Sequence, residues 1–386
     1  MKFLDILKIN TSSSRNFGLD LLRAIAILMV MLLHGKSFLS PSLEKPLSFL
    51  LIDGVSIFFV LSGFLIGGIF IKELNKIEKR QSNVRFLFNF LSRRWFRTIP
   101  NYYLALILII LYFIWQGHNL SQFDLYKYFL FIQNFENPHP TFYPEAWSLS
   151  IEEWFYLIVP FLILLIYNLF KNTNIPVSVL TVSVFIVIFC IILRYIKFLN
   201  FGVTDDFELN YKKIVIYRLD SIMYGVLAAY FLAYHPIKWE KFKNPMAVIG
   251  SILLAGQHLF ILLDDPSPFY LTNLSIPIEA ISIMLLLPYI YSLRSGNAKF
   301  TYIITHISII SYSMYLFNYS LIKYGVMELI NWDYLYSLIE KFSKAHVLIW
   351  VVQYLMFWIL TLLLSTLNYK YFEFPILKLR DRITKK

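Results

Sequence analysis

Arg23 and His34 are the residues whose types and spacing most invite chemistry. They sit in Leu19-Asp20-Leu21-Leu22-Arg23 through Met31-Leu32-Leu33-His34, with ten uncharged residues, Ala24 to Leu33, between them. On a helix that spacing makes about three turns, so both side chains share one face, about 16 Å apart along the axis. A guanidinium and an imidazole aligned through an apolar helix are expensive in a bilayer, and by default they mark a polar pathway or a reaction site. The other reading is an Arg snorkelling to one surface and a His lying near the opposite one.

Three further groups carry polar chemistry. Arg93, Arg94 and Arg97 stand just before Pro100. They could hold phosphate groups through bidentate, charge-assisted contacts, or serve only as a positive-inside anchor. Ser148, Glu152 and Tyr156 form an i, i+4, i+8 stripe at the start of another apolar run. Glu153 points about 100° away from Glu152, so the two acids cannot share one role. Intramembrane acids face inward, which favours Glu152 as functional, against the alternative of an interfacial turn with solvated acids. Arg218 and Asp220 are too close in sequence to face each other, so each is expected to pair with another helix, Glu152 or Glu153 being candidates for Arg218.

The elements that must position these groups are membrane spans. The chain has 386 residues, 58% of them hydrophobic and only 15% charged. Apolar runs of about 20 residues recur along its length, as in a polytopic membrane protein. The expected spans are 19–39, 50–71, 100–116, 147–169, 176–197, 214–234, 246–263, 273–293, 303–326 and 346–367. The fold class is therefore all-α, a bundle of about ten transmembrane helices in a single domain, 1–386, with a basic tail at 368–386. The tail fits an amphipathic helix on the membrane surface. Gly63 and Gly67 give the second span a face for close packing, with the first span the expected neighbour. The third span is the weakest, short and ending at Trp115, with Pro100 suited to its first turn.

Ten spans put both termini on one side. Lys2, Lys8 and Arg15, the run Lys72, Lys76, Lys79, Arg80, Arg85, Arg93, Arg94 and Arg97, and the tail residues Lys370, Lys378, Arg380, Arg382, Lys385 and Lys386 make that side basic and therefore cytoplasmic. The net charge of +11 belongs with inside loops and acidic lipid head groups, not with nucleic acid. The lone Cys190 excludes a disulfide framework, and the seven histidines show no close spacing, so no metal site is expected. No phosphate-binding loop, dinucleotide turn or Gly-x-Ser-x-Gly elbow occurs.

Seven blocks in order resemble the acyltransferase-3 family of membrane acyltransferases: Leu19-Asp20-x-Leu22-Arg23-Ala24 with His34; Phe58-Phe59-Val60-Leu61-Ser62-Gly63-Phe64-Leu65-Ile66; Arg94-Trp95-Phe96-Arg97-x-x-Pro100; Trp147-Ser148-Leu149 with Glu152-Glu153-x-Phe155-Tyr156; Arg218-x-Asp220; Ser311-Tyr312 with Tyr315-Leu316; and Glu373-x-Pro375. The resemblance implies an enzyme of the bacterial inner membrane that moves an acyl group, most often acetyl, from acyl-CoA as co-substrate to a hydroxyl of a saccharide, with no tightly bound cofactor. The partners expected are membrane lipids, acyl-CoA and the saccharide acceptor, with no nucleic acid. Some relatives carry an added extracytoplasmic hydrolase-like domain, for which this chain is expected to have no room. One departure is Asn318-Tyr319-Ser320, where many relatives have a His followed two residues on by Pro.

On this reading His34 is general base or transient acyl carrier. Arg23 positions the thioester or stabilises the oxyanion. Arg93, Arg94 and Arg97 hold the CoA phosphates, and Glu152 orients His34 or binds the acceptor. Ser148, Glu153, Tyr156, Arg218 and Asp220 belong to the substrate or structural polar network. The rival is a carrier or flippase for polysaccharide or lipid-linked sugar, which would move glycan without consuming acyl-CoA. A third reading, a scaffold for a glycan-synthesis complex, leaves the buried charges unexplained.

Overall fold

The computed structural model describes residues 9, 15–75, 83–169, 174–202, 206–340 and 345–383. Of the basic residues that set the expected orientation, Lys2, Lys8, Lys76, Lys79, Arg80, Lys385 and Lys386 lie outside the described residues, as do the last three positions of the basic tail.

Ten long elements follow one another: α1 (Phe17–Gly35), α2 (Gly54–Leu74), α3 (Asn83–Trp115), α4 (Ala146–Leu169), α5 (Ile175–Phe201), α6 (Leu219–Tyr234), α7 (Pro236–Leu263), α8 (Ile276–Ser292), α9 (Ala298–Phe317) and α10 (Ala345–Asn368). No strand occurs among the described residues. Nine helices among them are long and apolar enough to cross a membrane, and α6 is a shorter apolar helix. The protein is an all-α polytopic bundle.

Local chemistry sets the starts. Asn16, Asp53, Asn174 and Asn297 each accept a hydrogen bond from a backbone N–H two or three residues on, capping α1, α2, α5 and α9. Proline stands in the first turn of α5, α7 and α8, where its missing N–H costs nothing. α7 and α10 leave rows such as Val248, Ile252 and Leu259, and Val347, Val351 and Leu355, exposed. On a membrane protein such rows face lipid.

α1 lies on the seam between two buried clusters. Leu19, Leu22 and Ala26 join a core built largely from α2, α4, α5, α6 and α8. Ile27, Val30 and Met31 join a second core with α3, α9 and the loop before α4. Arg23 and His34 therefore sit where two apolar bodies meet.

Four expectations change. The third span is not short: α3 runs 33 residues and takes in the arginine stretch, with Pro100 in its interior. A membrane helix tolerates such a proline because its neighbours satisfy the freed backbone groups. Gly63 and Gly67 of α2 face α6, not α1, although Gly54 at the start of α2 does meet Ala26 of α1. A Cβ on Gly63 would lie 1.9 Å from the Ile222 carbonyl oxygen, and one on Gly225 would lie 2.0 Å from that of Val60. Small residues on both helices let the two backbones touch. Arg218 pairs with neither Glu152 nor Glu153: it donates to Ser56 Oγ at 2.7 Å, lies 3.9 Å from Asp53 and stands over the Phe59 ring. Finally, the tail is no separate element. α10 continues through Tyr369–Glu373 into a helix Phe374–Ile383, and Glu373 reaches back into the bundle to accept from Asn101 and Ser313.

Candidate functional site

α1 presents its two polar residues to two adjoining chambers. The first is lined by Arg23 from α1, Arg94 and Arg97 from α3, Ser62 from α2, and Glu152 and Tyr156 from α4. Tyr156 donates to Glu152 Oε2 at 2.8 Å and lies 3.2 Å from Ser62 Oγ, which locks the carboxylate on its helix face. Among the described residues Arg23, Arg94 and Arg97 have no carboxylate within ion-pair distance and no side-chain hydrogen-bond partner, and the Arg94 Nε is buried. Three guanidiniums thus face a cavity whose lining holds one carboxylate. Such a chamber attracts an anion with several oxygens, since guanidinium forks match phosphate and carboxylate geometry.

Arg93 is exposed and lies outside this lining, so the expected arginine trio is corrected: Arg23 takes its place beside Arg94 and Arg97. Glu153 also turns away. It is buried and accepts from Thr98 Oγ1 at 2.6 Å, tying α4 to α3.

The second chamber, of about 470 Å³, is lined by His34, Glu145, Tyr319, Lys323, Lys212 and Asp53 among others. That volume lies within the range of small-ligand pockets. His34 Nδ1 bonds Asn318 Oδ1, and the His34 ring lies 4.4 Å from that of Tyr319. Lys323 donates to the His34 carbonyl at 3.0 Å and stands over the Tyr319 and Tyr324 rings. Glu145, at the mouth of α4, is buried and accepts from both Ser320 N–H at 3.0 Å and Ser320 Oγ at 2.6 Å. Burial pushes its carboxyl up to about 7, only partly offset by those two bonds.

Val55 and Tyr315 line both chambers. The Tyr315 hydroxyl lies 2.7 Å from Ser148 Oγ and donates to the Glu145 carbonyl at 3.0 Å. This hydroxyl pair is the septum between the arginine chamber and the histidine chamber. The stripe Ser148, Glu152, Tyr156 therefore runs from the septum into the arginine chamber. Glu152 lies on the Arg23 side and does not orient His34; Asn318 holds that ring.

Arg218 and Asp220 belong to the frame. Asp220 receives Arg194 at 2.7 Å, both fully buried, and Arg194 also donates to the Tyr217 carbonyl. Lys212 bridges Asp53 at 2.9 Å and Glu208 at 3.6 Å, clamping the loop before α6 onto the cap of α2. Asp20 beside Arg23 is also structural, joining Arg15 and Ser308.

Sequence reasoning did not single out Glu145, Tyr315, Asn318, Lys323 or Arg194 as site or pairing residues. Asn318 was visible only as a departure from a pattern. Arg194 lay unmarked inside the fifth apolar run, where an unpartnered charge was itself a signal. Among the described residues no group of three or more His, Cys, Asp or Glu is placed to hold a metal ion.

The profile of the Acyltransferase domain family matches residues 16–370. The chain is 26% identical over 386 residues to the O-acetyltransferase OatA of Staphylococcus aureus, covering 94% of this chain and 57% of that protein. It is 31% identical over 191 residues to the peptidoglycan O-acetyltransferase OatA of Listeria monocytogenes, covering 45% of this chain and 28% of that one. It is 28% identical over 225 residues to an uncharacterized Haemophilus influenzae protein, covering 54% of this chain and 87% of the other. The chain thus spans little more than half the length of the Staphylococcus aureus relative. No solved structure matches it.

Proposed function

The chain belongs to the Acyltransferase domain family, and from that membership and its two chambers we propose that it is a membrane O-acyltransferase moving an acetyl group from acetyl-CoA to a hydroxyl of a cell-envelope saccharide at the bacterial cytoplasmic membrane. The observation that carries this reading is the convergence of Arg23, Arg94 and Arg97, none with a carboxylate within ion-pair distance among the described residues, on one cavity that adjoins the chamber of His34. A donor with phosphates at one end and a thioester at the other fits that asymmetry. The phosphates meet Arg94 and Arg97, and the arm extends along α1 past Arg23 and the Tyr315–Ser148 septum. The arm must span much of the about 16 Å that helix geometry puts between Arg23 and His34. The acceptor class rests on the relatives, one of which is named for peptidoglycan.

In this reading the acceptor enters the histidine chamber and its hydroxyl proton passes to the His34 imidazole. The hydroxyl oxygen bonds the acyl carbon, the C–S bond breaks with its electron pair on sulfur, and the thiolate takes up a proton. A carrier would need no such donor, and this is where the two readings part.

The test measures CoA release and acetyl transfer by purified protein with an envelope glycan acceptor. Donors are acetyl-CoA and S-acetyl-N-acetylcysteamine, a thioester without phosphates. Wild type should turn over both, and His34→Ala should lose about 10²–10⁴-fold with either. Arg97→Ala should raise KM for acetyl-CoA about tenfold, the loss of one charge-assisted contact, and leave the truncated donor unaffected. No thioester consumption by folded wild type, with glycan still moved across vesicles, would establish the carrier instead.

A further inference from the structure

We propose that Asn318 is a positioning residue that keeps the proton of His34 on Nδ1 and so makes Nε2 the atom that meets the acceptor hydroxyl. The inference deepens the acyl-transfer reading of the histidine chamber and rests on it for the reaction, though not for the tautomer.

Asn318 is fully buried, just past the end of α9. Its Nδ2 donates to the Met314 carbonyl at 2.7 Å and to the Tyr315 carbonyl at 3.0 Å. Both amide hydrogens are thereby committed. Turning the amide over would set Oδ1 against two backbone carbonyls, acceptor against acceptor, at a fully buried position. Its orientation is therefore dictated by α9 itself, and the atom left facing His34 Nδ1 is Oδ1. A carbonyl oxygen only accepts, so Nδ1 carries the hydrogen. A neutral imidazole has one N–H, and Nε2 keeps its lone pair.

Nothing else competes for the ring. Among the described residues no other side chain hydrogen-bonds either ring nitrogen, and Lys323 bonds the His34 backbone carbonyl instead. The other titratable or charged groups around the chamber are Lys36, Asp53, Glu145, Glu208, Lys212, Lys213, Tyr315 and Tyr319. Either role for His34 then falls on one atom. As base, Nε2 takes the hydroxyl proton while oxygen bonds the acyl carbon, the C–S pair leaves with sulfur, and the Nε2 proton passes to the thiolate. As carrier, the same lone pair bonds the acyl carbon as the C–S bond breaks with its electron pair on sulfur; the acceptor oxygen then bonds that carbon, the C–Nε2 bond breaks back onto nitrogen, and the hydroxyl proton passes to the thiolate. In both cases the Nδ1–H···Oδ1 bond persists and strengthens when the ring becomes cationic.

The test is ¹⁵N NMR of histidine-labelled full-length protein in nanodiscs, with His34→Gln identifying the His34 signals, alongside pH–rate profiles with acetyl-CoA and glycan acceptor. Wild type should show a protonated Nδ1 and an unprotonated Nε2. Asn318→Leu should lose that preference and about 10–100-fold in kcat, with acetyl-CoA KM unchanged. Asn318→Leu should also move the acidic limb of the profile to lower pH, because it removes the acceptor that favours the cationic ring; a merely structural Asn318 would leave that limb and the tautomer where they are. A proton on Nε2 in wild type overturns the proposal, as do unchanged tautomer and kcat in Asn318→Leu. If Asn318→Leu does not fold, the wild-type spectrum decides. An Nδ1–H spectrum from protein that consumes no thioester would sink the acyl-transfer reading and leave the tautomer assignment standing.

Discussion

Glu145 joins two distant parts of the chain through one carboxyl, held by Ser320 at a sequence separation of 175 residues. The native protein keeps that carboxyl protonated up to about 7, while the unfolded chain releases the proton near 4.5. Between those values the native state holds more protons, so stability falls as pH rises. The contribution is fully present below 4.5 and lost through about 7, a change of about 3 kcal/mol. Glu145→Gln should abolish it. In thermal unfolding of detergent-solubilised protein, the wild type should melt lower at pH 8 than at pH 5, and the variant should show a smaller fall between the two. Equal slopes in the two would show that Glu145 is not the group responsible. At this scale the sequence was partly legible. Arg23 and His34 share a helix face because 3.6 residues per turn requires it. Glu145 was opaque, because an acid at the end of a loop is ordinarily solvated, and its donor Ser320 comes from another part of the chain.

Between elements, the pairs that hold helices together were the least readable feature. The sixth apolar run showed Arg218 and Asp220 but not their partners. Asp220 goes to Arg194 on α5, and Arg218 goes to Ser56 and Asp53 on α2. Arg194→Leu alone leaves a buried carboxylate without its cation, which should cost about 3–5 kcal/mol. Arg194→Leu with Asp220→Leu should recover most of that, because removing both charges removes the desolvation cost as well. Unfolding in detergent with increasing denaturant checks it, and additive losses would show that the pair is not coupled. The same uncertainty of partner explains the second span. Its glycines announced close packing, but the partner is the helix that offers a glycine in return, Gly225, and no rule of spacing identifies it. α3 differs from the span expected of its sequence for another reason. Its first turns are too basic to count as a span, and a hydropathy window sees only the apolar part, whereas the helix is continuous through Pro100.

For the whole molecule, ten long elements place both ends of the bundle on one face, provided each crosses the membrane once. On that count the basic residues near the two ends predict that this face is cytoplasmic. A fluorescent protein fused after Lys386 should fluoresce, and alkaline phosphatase fused there should be inactive; the reverse would invert the orientation and move the arginine chamber away from cytoplasmic donor. The sequence by itself determined that this is a helical membrane protein, roughly where its spans lie, and which residues are too costly to bury without purpose. These follow from local composition and periodicity, because a bilayer penalises any unpaired polar group wherever it sits. Only the tertiary structure decided that Arg23 and His34 open into separate chambers, that Tyr315 and Ser148 divide them, and that Asn318 rather than Glu152 holds the imidazole. Those relations join residues hundreds of positions apart, and they exist only once α1, α4 and α9 have packed.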